Sequence, residues 1–339
     1  MVDPKLLNYS KDRFNIAQDR PDVNIDRNFA GHTMFQDSVI RFKRNKGAVV
    51  GLICIIIIIF LALAGPAMND YDYLKVDMSI SNLPPKVPGI EKLGFWNGTR
   101  NGMDVYEQKG VPEGTYYIFG TDSLGRDLWS RVWMGTRISL FVALVAVLAD
   151  MIIGITIGVV SGYFGGWVDI VLQRITEIIW GIPNLVVVTL LMLILKPGLT
   201  SIILALLFSG WIGMSRLVRA QVLKLKEMEY VLVGKTLGAS PWNLIFKDIL
   251  PNTMAQIIIM AMMSVPGAIF TEAFLSYIGL GIPAPQASLG VLINDGYQNM
   301  LLFPYQVLLP VIVFAVLMIS LNLFADGLRD AMDPKMKQK

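Results

Sequence analysis

The stretch EYVLVGKTLGASPWNLIFKDILP, Glu229–Pro251, is a polar island between two long apolar runs. Gly234-Lys235-Thr236 at its centre looks like the tail of a phosphate-binding loop. Such a loop needs a glycine five positions before the Gly of the Gly-Lys pair, to cradle phosphate oxygens on backbone N–H groups. That position is Glu229, a negative charge where phosphates would sit, and no strand-forming segment precedes it. Nucleotide binding is therefore rejected for the island, and no other such loop occurs in the chain. The island reads instead as helix, sharp turn, helix. Glu227–Leu237 has good helix formers and an apolar face at Tyr230, Val231, Val233 and Leu237. Gly238 stands where a helix-terminating glycine belongs. Ser240-Pro241 is a restart signal, Ser as N-cap and Pro at the first helical position. The second helix is expected over Trp242–Leu250, with Pro251 as its stop. A turn so built protrudes, and Leu237, Ala239, Trp242 and Ile245 beside it then need a protein partner.

The rest of the chain says what the island protrudes from. Of 339 residues 54% are hydrophobic and 16% charged, with mean hydropathy +0.55. Soluble domains carry about 25% charged residues. Apolar runs long enough to cross a ~30 Å hydrocarbon layer lie near Gly47–Gly65, Ile138–Tyr163, Ile170–Leu195, Leu199–Leu217, Met254–Leu280 and Val307–Phe324. Fusing the two runs around Lys196–Gly198 would give five spans; the Lys-Pro-Gly break argues for six. With the N-terminus inside, 20 of the 29 Lys and Arg fall in inner segments, Arg41–Lys46 before the first span being the strongest cue. Both termini and the island are then cytoplasmic. The first span lies too deep in the chain for a cleavable signal peptide. Cys54 cannot form a disulfide within the chain, and the lone His32 cannot make a metal site. The net charge of +3 comes without a basic-aromatic surface, so nucleic acid is not an expected partner.

Residues 1–46 read as a cytoplasmic tail, 47–65 as the first span and 66–136 as an extracytoplasmic insertion. Residues 137–326 read as a five-helix core and 327–339 as a cytoplasmic tail. The insertion ends in an amphipathic elbow helix. Leu124, Leu128 and Val132 recur every four residues, and Trp129 and Trp133 are expected as anchors at the headgroup level. The same helix could instead present a surface to an external partner. Ionisable residues within spans are functional candidates because insertion costs about 2.5–3.5 kcal/mol each. Asp150 and Glu272 either line a wet pathway or make interhelical polar contacts, and Pro266-Gly267 could kink the span carrying Glu272. Arg174 and Glu177 are spaced to pair. Met263, among several methionines of the fifth span, either lines a passage or packs in the core. No carboxylate pair beside a nucleophile, metal-ligand cluster or nucleophile elbow is present in the sequence, which argues against an enzyme.

The island is similar to the EAA loop of ABC-importer permeases, in the variant of the dipeptide, oligopeptide and nickel group. GTDSLGRDLWSRVWMGTRISL, SGYFGGWVDIVLQRITEIIWGIP and EAFLSYIGLGIPAPQASLG match the same group, so the resemblance covers most of residues 35–334. It looks like the second, C-type permease subunit of an oligopeptide importer. Leu232, Val233 and Gly234 stand where Glu-Ala-Ala would, and Asp248 where Ile would; Gly238, Leu250 and Pro251 match. The resemblance implies an all-α membrane protein of the type I importer permease fold, with six transmembrane helices and a cytoplasmic coupling helix. Glu229, Tyr230, Gly234, Leu237, Gly238, Ala239, Ser240, Pro241, Trp242 and Pro251 would form the part that docks on an ATPase subunit. It implies a second permease subunit, two ATPase subunits, an extracytoplasmic peptide-binding protein, peptide cargo and surrounding lipid in a bacterial plasma membrane. The chain itself would hold no cofactor, ATP and Mg residing on the ATPase partners. Nickel is the rival cargo; a self-sufficient secondary transporter is the rival mechanism, and it would show internal repeats.

Overall fold

A computed structural model describes residues 34–332, so the His32 and C-terminal lysine readings lie outside the described residues. In hydrocarbon, backbone polar groups must bond within the segment, which makes helices of the apolar runs. The elements in chain order are α1 (Met34–Arg44), α2 (Lys46–Ala64), a short hairpin β1 (Thr99–Arg100) and β2 (Met103–Asp104), α3 (Val105–Gln108), α4 (Leu128–Phe164), α5 (Gly166–Gly181), α6 (Asn184–Leu195), α7 (Leu199–Ser209), α8 (Trp211–Leu225), α9 (Glu229–Thr236), α10 (Pro241–Asn243), α11 (Leu250–Leu275), α12 (Leu289–Gln298) and α13 (Tyr305–Met332).

Among the described residues, five helical segments are long and apolar enough to span: Lys46–Ala67, Leu128–Phe164, Leu199–Leu225, Pro241–Leu280 and Tyr305–Met332. The third expected span, Ile170–Leu195, is not one straight helix. α5 and α6 meet at 80°. Pro183 forces the residue before it out of the helical region, and Ile182 is extended at φ −84°, ψ 124°. The break at Lys196–Gly198 separates α6 from α7 as expected.

Small residues bring the long helices together, as lipid offers little hydrophobic drive between them. Gly154, Gly158 and Gly162 lay α4 on α8; a methyl group at Gly158 would sit 2.6 Å from the Ser215 carbonyl oxygen. On the other side, Gly51 of α2 abuts the Ser320 carbonyl of α13, and Gly327 of α13 abuts Ala48. α1 continues this pair, with Phe42 edge-on to Phe324 at 5.6 Å. The expected polar tail over 1–46 thus includes a helix packed on α13. The expected tail over 327–339 likewise begins inside α13.

The segment between α2 and α4 is a small irregular lobe with its own core of Leu83, Tyr106 and Tyr117. Gln306 at the start of α13 pins it, donating to Asn82 Oδ1 at 2.8 Å and to the Thr121 carbonyl at 3.1 Å. The elbow reading is corrected. Trp129 and Trp133 lie in the first turns of α4 itself, with no break near residue 136. Trp129 donates to the Gly65 carbonyl at 2.8 Å and Trp133 is only 4% exposed, packed on Gly65. These indoles fasten α4 to the end of α2. Asp127 caps α4 by accepting from the Ser130 amide at 2.8 Å. Burial pushes its carboxyl above the usual range, against the downward pull of hydrogen bonds from Ser130 and Asn69.

Candidate functional site: an exposed hairpin and a buried carboxylate

α9 begins after Met228, with Glu229 in the first turn where a negative charge suits the helix dipole. Its end is set by Gly238, at φ +80°. The Gly238 N–H donates to the Lys235 carbonyl at 3.1 Å and the Ala239 N–H to the Gly234 carbonyl at 3.0 Å. Together these two bonds form the paired closure of a Schellman C-cap. Ser240 Oγ then accepts from the Asn243 amide at 3.3 Å, with Pro241 at the first helical position, as its sequence predicts. Gly234, Lys235 and Thr236 are helical, so their amides run along α9 and do not fan around an anion.

Two inward contacts hold this hairpin. Val231 is buried among Val159, Val222 and Ile249, and a methyl at Gly234 would lie 2.8 Å from Leu244 Cδ2. Outward, Leu237 is 81%, Trp242 55% and Phe246 60% exposed, with Tyr230 and Val233 beside them. Trp242 stacks on Phe246 at 6.0 Å and meets Phe164 at the end of α4 edge-on at 6.3 Å. Two expectations change. Ile245 is buried, not exposed. Pro251 does not stop the second helix, which runs on through it to Leu275. A wider turn at Leu244–Ile249 precedes it, with the Leu250 N–H reaching the Ile245 carbonyl. That widening suits a residue with no N–H and a ring that clashes with the preceding turn. Asn252 Nδ2 donates to the Asp248 carbonyl at 2.6 Å in the same turn.

Glu272 on α11 is 0% exposed. Ser139 Oγ of α4 donates to one carboxyl oxygen and Ser276 Oγ to the other, both at 2.7 Å. Ser288 Oγ donates to Ser276 Oγ at 3.1 Å and accepts from the Val291 amide, so it also caps α12. Glu272 is therefore an interhelical polar contact joining α4, α11 and α12. Gly290 completes the knot, its Cα so close to α11 that a methyl would sit 2.6 Å from Ala273 Cα. Pro266 lies inside α11, which continues as one helix from Leu250 to Leu275. Asp150 packs on Gly210 where α7 gives way to α8, and its buried Oδ1 has no hydrogen-bond partner among the described residues. Met263 is exposed on the α11 face that also carries Phe270 and Phe274. Asp150, Glu272 and Met263 are thus brought to different contacts, not to one site. Arg174 and Glu177 pair at 2.7 Å on the exposed side of α5. Sequence reading missed Ser139, Ser276 and Ser288, and it missed Asp169 of α5, which Arg219 of α8 grips with two 2.6 Å hydrogen bonds. A signal was present in the last pair, as opposite charges at the edges of apolar runs call for partners.

Residues 154–338 match the family model of the binding-protein-dependent transport system inner membrane component. Residues 33–85 match the N-terminal transmembrane domain of oligopeptide transport permease C. The chain is 41% identical to the oligopeptide transport system permease protein OppC of Bacillus subtilis, over 90% of this chain and 91% of that one. It is 45% identical to the dipeptide transport system permease protein DppC of Lactococcus lactis subsp. cremoris, over 90% and 92%. It is 40% identical to DppC of Bacillus subtilis, over 98% and 93%. A solved methionine ABC transporter, MetNI, aligns at a TM-score of 0.49 and 17% identity, over 60% of this chain and 96% of that one. Matched over most of its length, the chain belongs to the inner membrane components of binding-protein-dependent transport systems, a multi-pass permease subunit and not an enzyme.

Proposed function

We propose that this chain is the C-type permease subunit of an ATP-driven importer of peptides. It pairs with a second, homologous permease, docks on two ATPase subunits that carry ATP and Mg, and receives peptide from an extracytoplasmic binding protein. The observation that carries the reading is the hairpin at Gly238. It is locked at its turn, anchored by Val231, and apolar where it faces water, through Leu237, Trp242 and Phe246. An exposed apolar patch on a rigid protrusion calls for a partner protein. A hairpin that cannot flex carries the closing motion of an ATPase into α8 and α11, which flank it in the chain; a loose loop would absorb it. Support for peptide as cargo comes from the relatives, which are named for oligopeptides and dipeptides. The charge distribution supports placing both termini and the hairpin in the cytoplasm of a bacterial cell, and the lobe outside. The lobe is the surface offered to the binding protein.

The test is to purify the complex with its neighbouring subunits and identify bound cargo by mass spectrometry. ATPase chains should co-purify, and peptide uptake into proteoliposomes should need ATP. Trp242→Ala should weaken ATPase retention about tenfold, the effect of losing one aromatic anchor of an interface. Uptake by this chain without ATPase subunits, or nickel in place of peptide, would overturn the reading.

A further inference from the structure

α5 is weakly held by its own chain. Of its 16 residues only Thr176 is buried within the described chain. It joins α4 through Gly165 and Gly166, at φ +64° and +53°, and a methyl at Gly166 would meet nothing within 4 Å. Two adjacent residues in the region that favours glycine, with no packing around the second, make a swivel and not a brace. At its far end α5 turns by 80° into α6, so rotation about the swivel displaces both helices.

Two arginines of α8 oppose that rotation. Near the swivel, Arg219 Nε and Nη2 donate to Asp169 Oδ1 and Oδ2, each at 2.6 Å. The fork geometry fixes direction as well as distance. Ser161 Oγ of α4 also donates to Asp169 Oδ1, and Gln173 Nε2 donates to Ser161 Oγ at 3.2 Å. At the other end the Arg216 guanidinium lies over the Trp180 ring, 5.0 Å from its centroid. Arg216 and Arg219 are one helical turn apart on α8, which leads directly into α9. α8 is itself fastened beside this point, Lys226 Nζ donating to the Gly162 carbonyl of α4 at 2.9 Å.

We propose that the Asp169–Arg219 pair, with Arg216 on Trp180, is the linkage that makes the α5–α6 segment follow α8 and the Gly238 hairpin beyond it. Asp169 and Arg219 are positioning residues. Their side chains bond to each other and to Ser161, and they set the angle of a swivelled helix. The inference rests on the permease reading for its functional consequence, but its geometric content stands alone. Without the pair, the hairpin still moves and the ATPases still turn over, yet α5 lags.

Two measurements on the full complex test it. In proteoliposomes, Asp169→Asn and Arg219→Gln should each lower peptide uptake about tenfold. Assembly and ATPase rate should stay within about twofold of wild type, so ATP consumed per peptide rises about tenfold. Arg219→Lys keeps the charge but loses the fork, and should fall between. An unchanged ratio of ATP to peptide overturns the proposal. So does a parallel loss of assembly, ATPase and uptake, which is the mark of a purely structural ion pair. The second measurement needs no cargo. Spin labels at Ile178→Cys and Lys224→Cys, in a Cys54→Ser background, should give one narrow α5–α8 distance that broadens with Asp169→Asn. A distribution that stays narrow refutes the linkage whatever the chain transports. Absence of ATP-driven peptide uptake by the wild-type complex would count against the permease reading instead.

Discussion

The two ends of the fifth membrane segment invert the ordinary distribution of side chains in opposite senses. At the hairpin, Leu237, Trp242 and Phe246 face outward where a free loop would be polar. At the far end, a carboxylate and three serine hydroxyls face inward where a membrane helix would be apolar. The glycines differ in the same way. Gly238 has φ +80° and open space around it, whereas Gly290 has an ordinary φ and no space. The first is there for its backbone and the second for its missing side chain. One end therefore exposes an apolar surface, and the other is a fixed knot within the chain.

That contrast can be broken most severely at Gly290. Gly290→Val drives a branched side chain into the α11 backbone, which cannot rotate away as a side chain could. A loss of about 3 kcal/mol is expected, at the upper end for overpacking, read as a lowered unfolding midpoint of the purified complex. A wild-type midpoint would mean that α12 is free to move off α11.

Glu272→Ala comes next. It opens a cavity and strands the Ser139 and Ser276 hydroxyls, for about 2 kcal/mol. Glu272→Gln keeps the shape and one acceptor oxygen, its amide N–H able to donate to the other hydroxyl, and should stay within about 1 kcal/mol of wild type. If Gln costs as much as Ala in the same melt, the full carboxylate charge matters and the hydrogen-bond account is insufficient.

Gly238→Val should be milder for folding and harsher for function. A left-handed φ strains a side-chain-bearing residue by roughly 1–2 kcal/mol. Membrane insertion should persist while peptide uptake and peptide-stimulated ATPase activity fall together. Gly238→Asn sharpens the point, since Asn tolerates this backbone region, and should keep most uptake. Were Asn as damaging as Val, space in a partner's groove, not φ, would govern the position.

The smallest effect is expected from Lys235→Ala, on the outer face of α9. Stability should change by less than about 0.5 kcal/mol and uptake only modestly. Loss of ATP binding by this variant, in a photocrosslinking assay on the isolated chain, would restore the phosphate-loop reading of Val233–Thr236.

Much of the hairpin was legible because it is local. The Gly238 stop and the Ser240-Pro241 restart act on backbone groups three to five residues away, and such signals survive in sequence. Pro251 misled because a proline's cost can be absorbed by one wide turn as well as by ending the helix. The bend at Ile182-Pro183 was written in the sequence too, but the apolar run continues across it and hides it from a hydropathy reading. Trp129 and Trp133 have the amphipathic spacing of headgroup anchors, and nothing local says that Gly65, more than 60 residues earlier, leaves room for them.

Sequence alone thus determined the membrane class, the six apolar runs, the helix–turn–helix at Gly238 and the family likeness, since these follow from composition and short-range backbone chemistry. Tertiary structure decided what the buried polar groups do. Glu272 meets Ser139 across 133 positions and Asp169 meets Arg219 across 50. A charge in or beside an apolar run states that it needs a partner; only the arrangement of α4 with α11 and of α5 with α8 supplies one, because hydrogen bonds form over about 3 Å of space and take no account of distance along the chain.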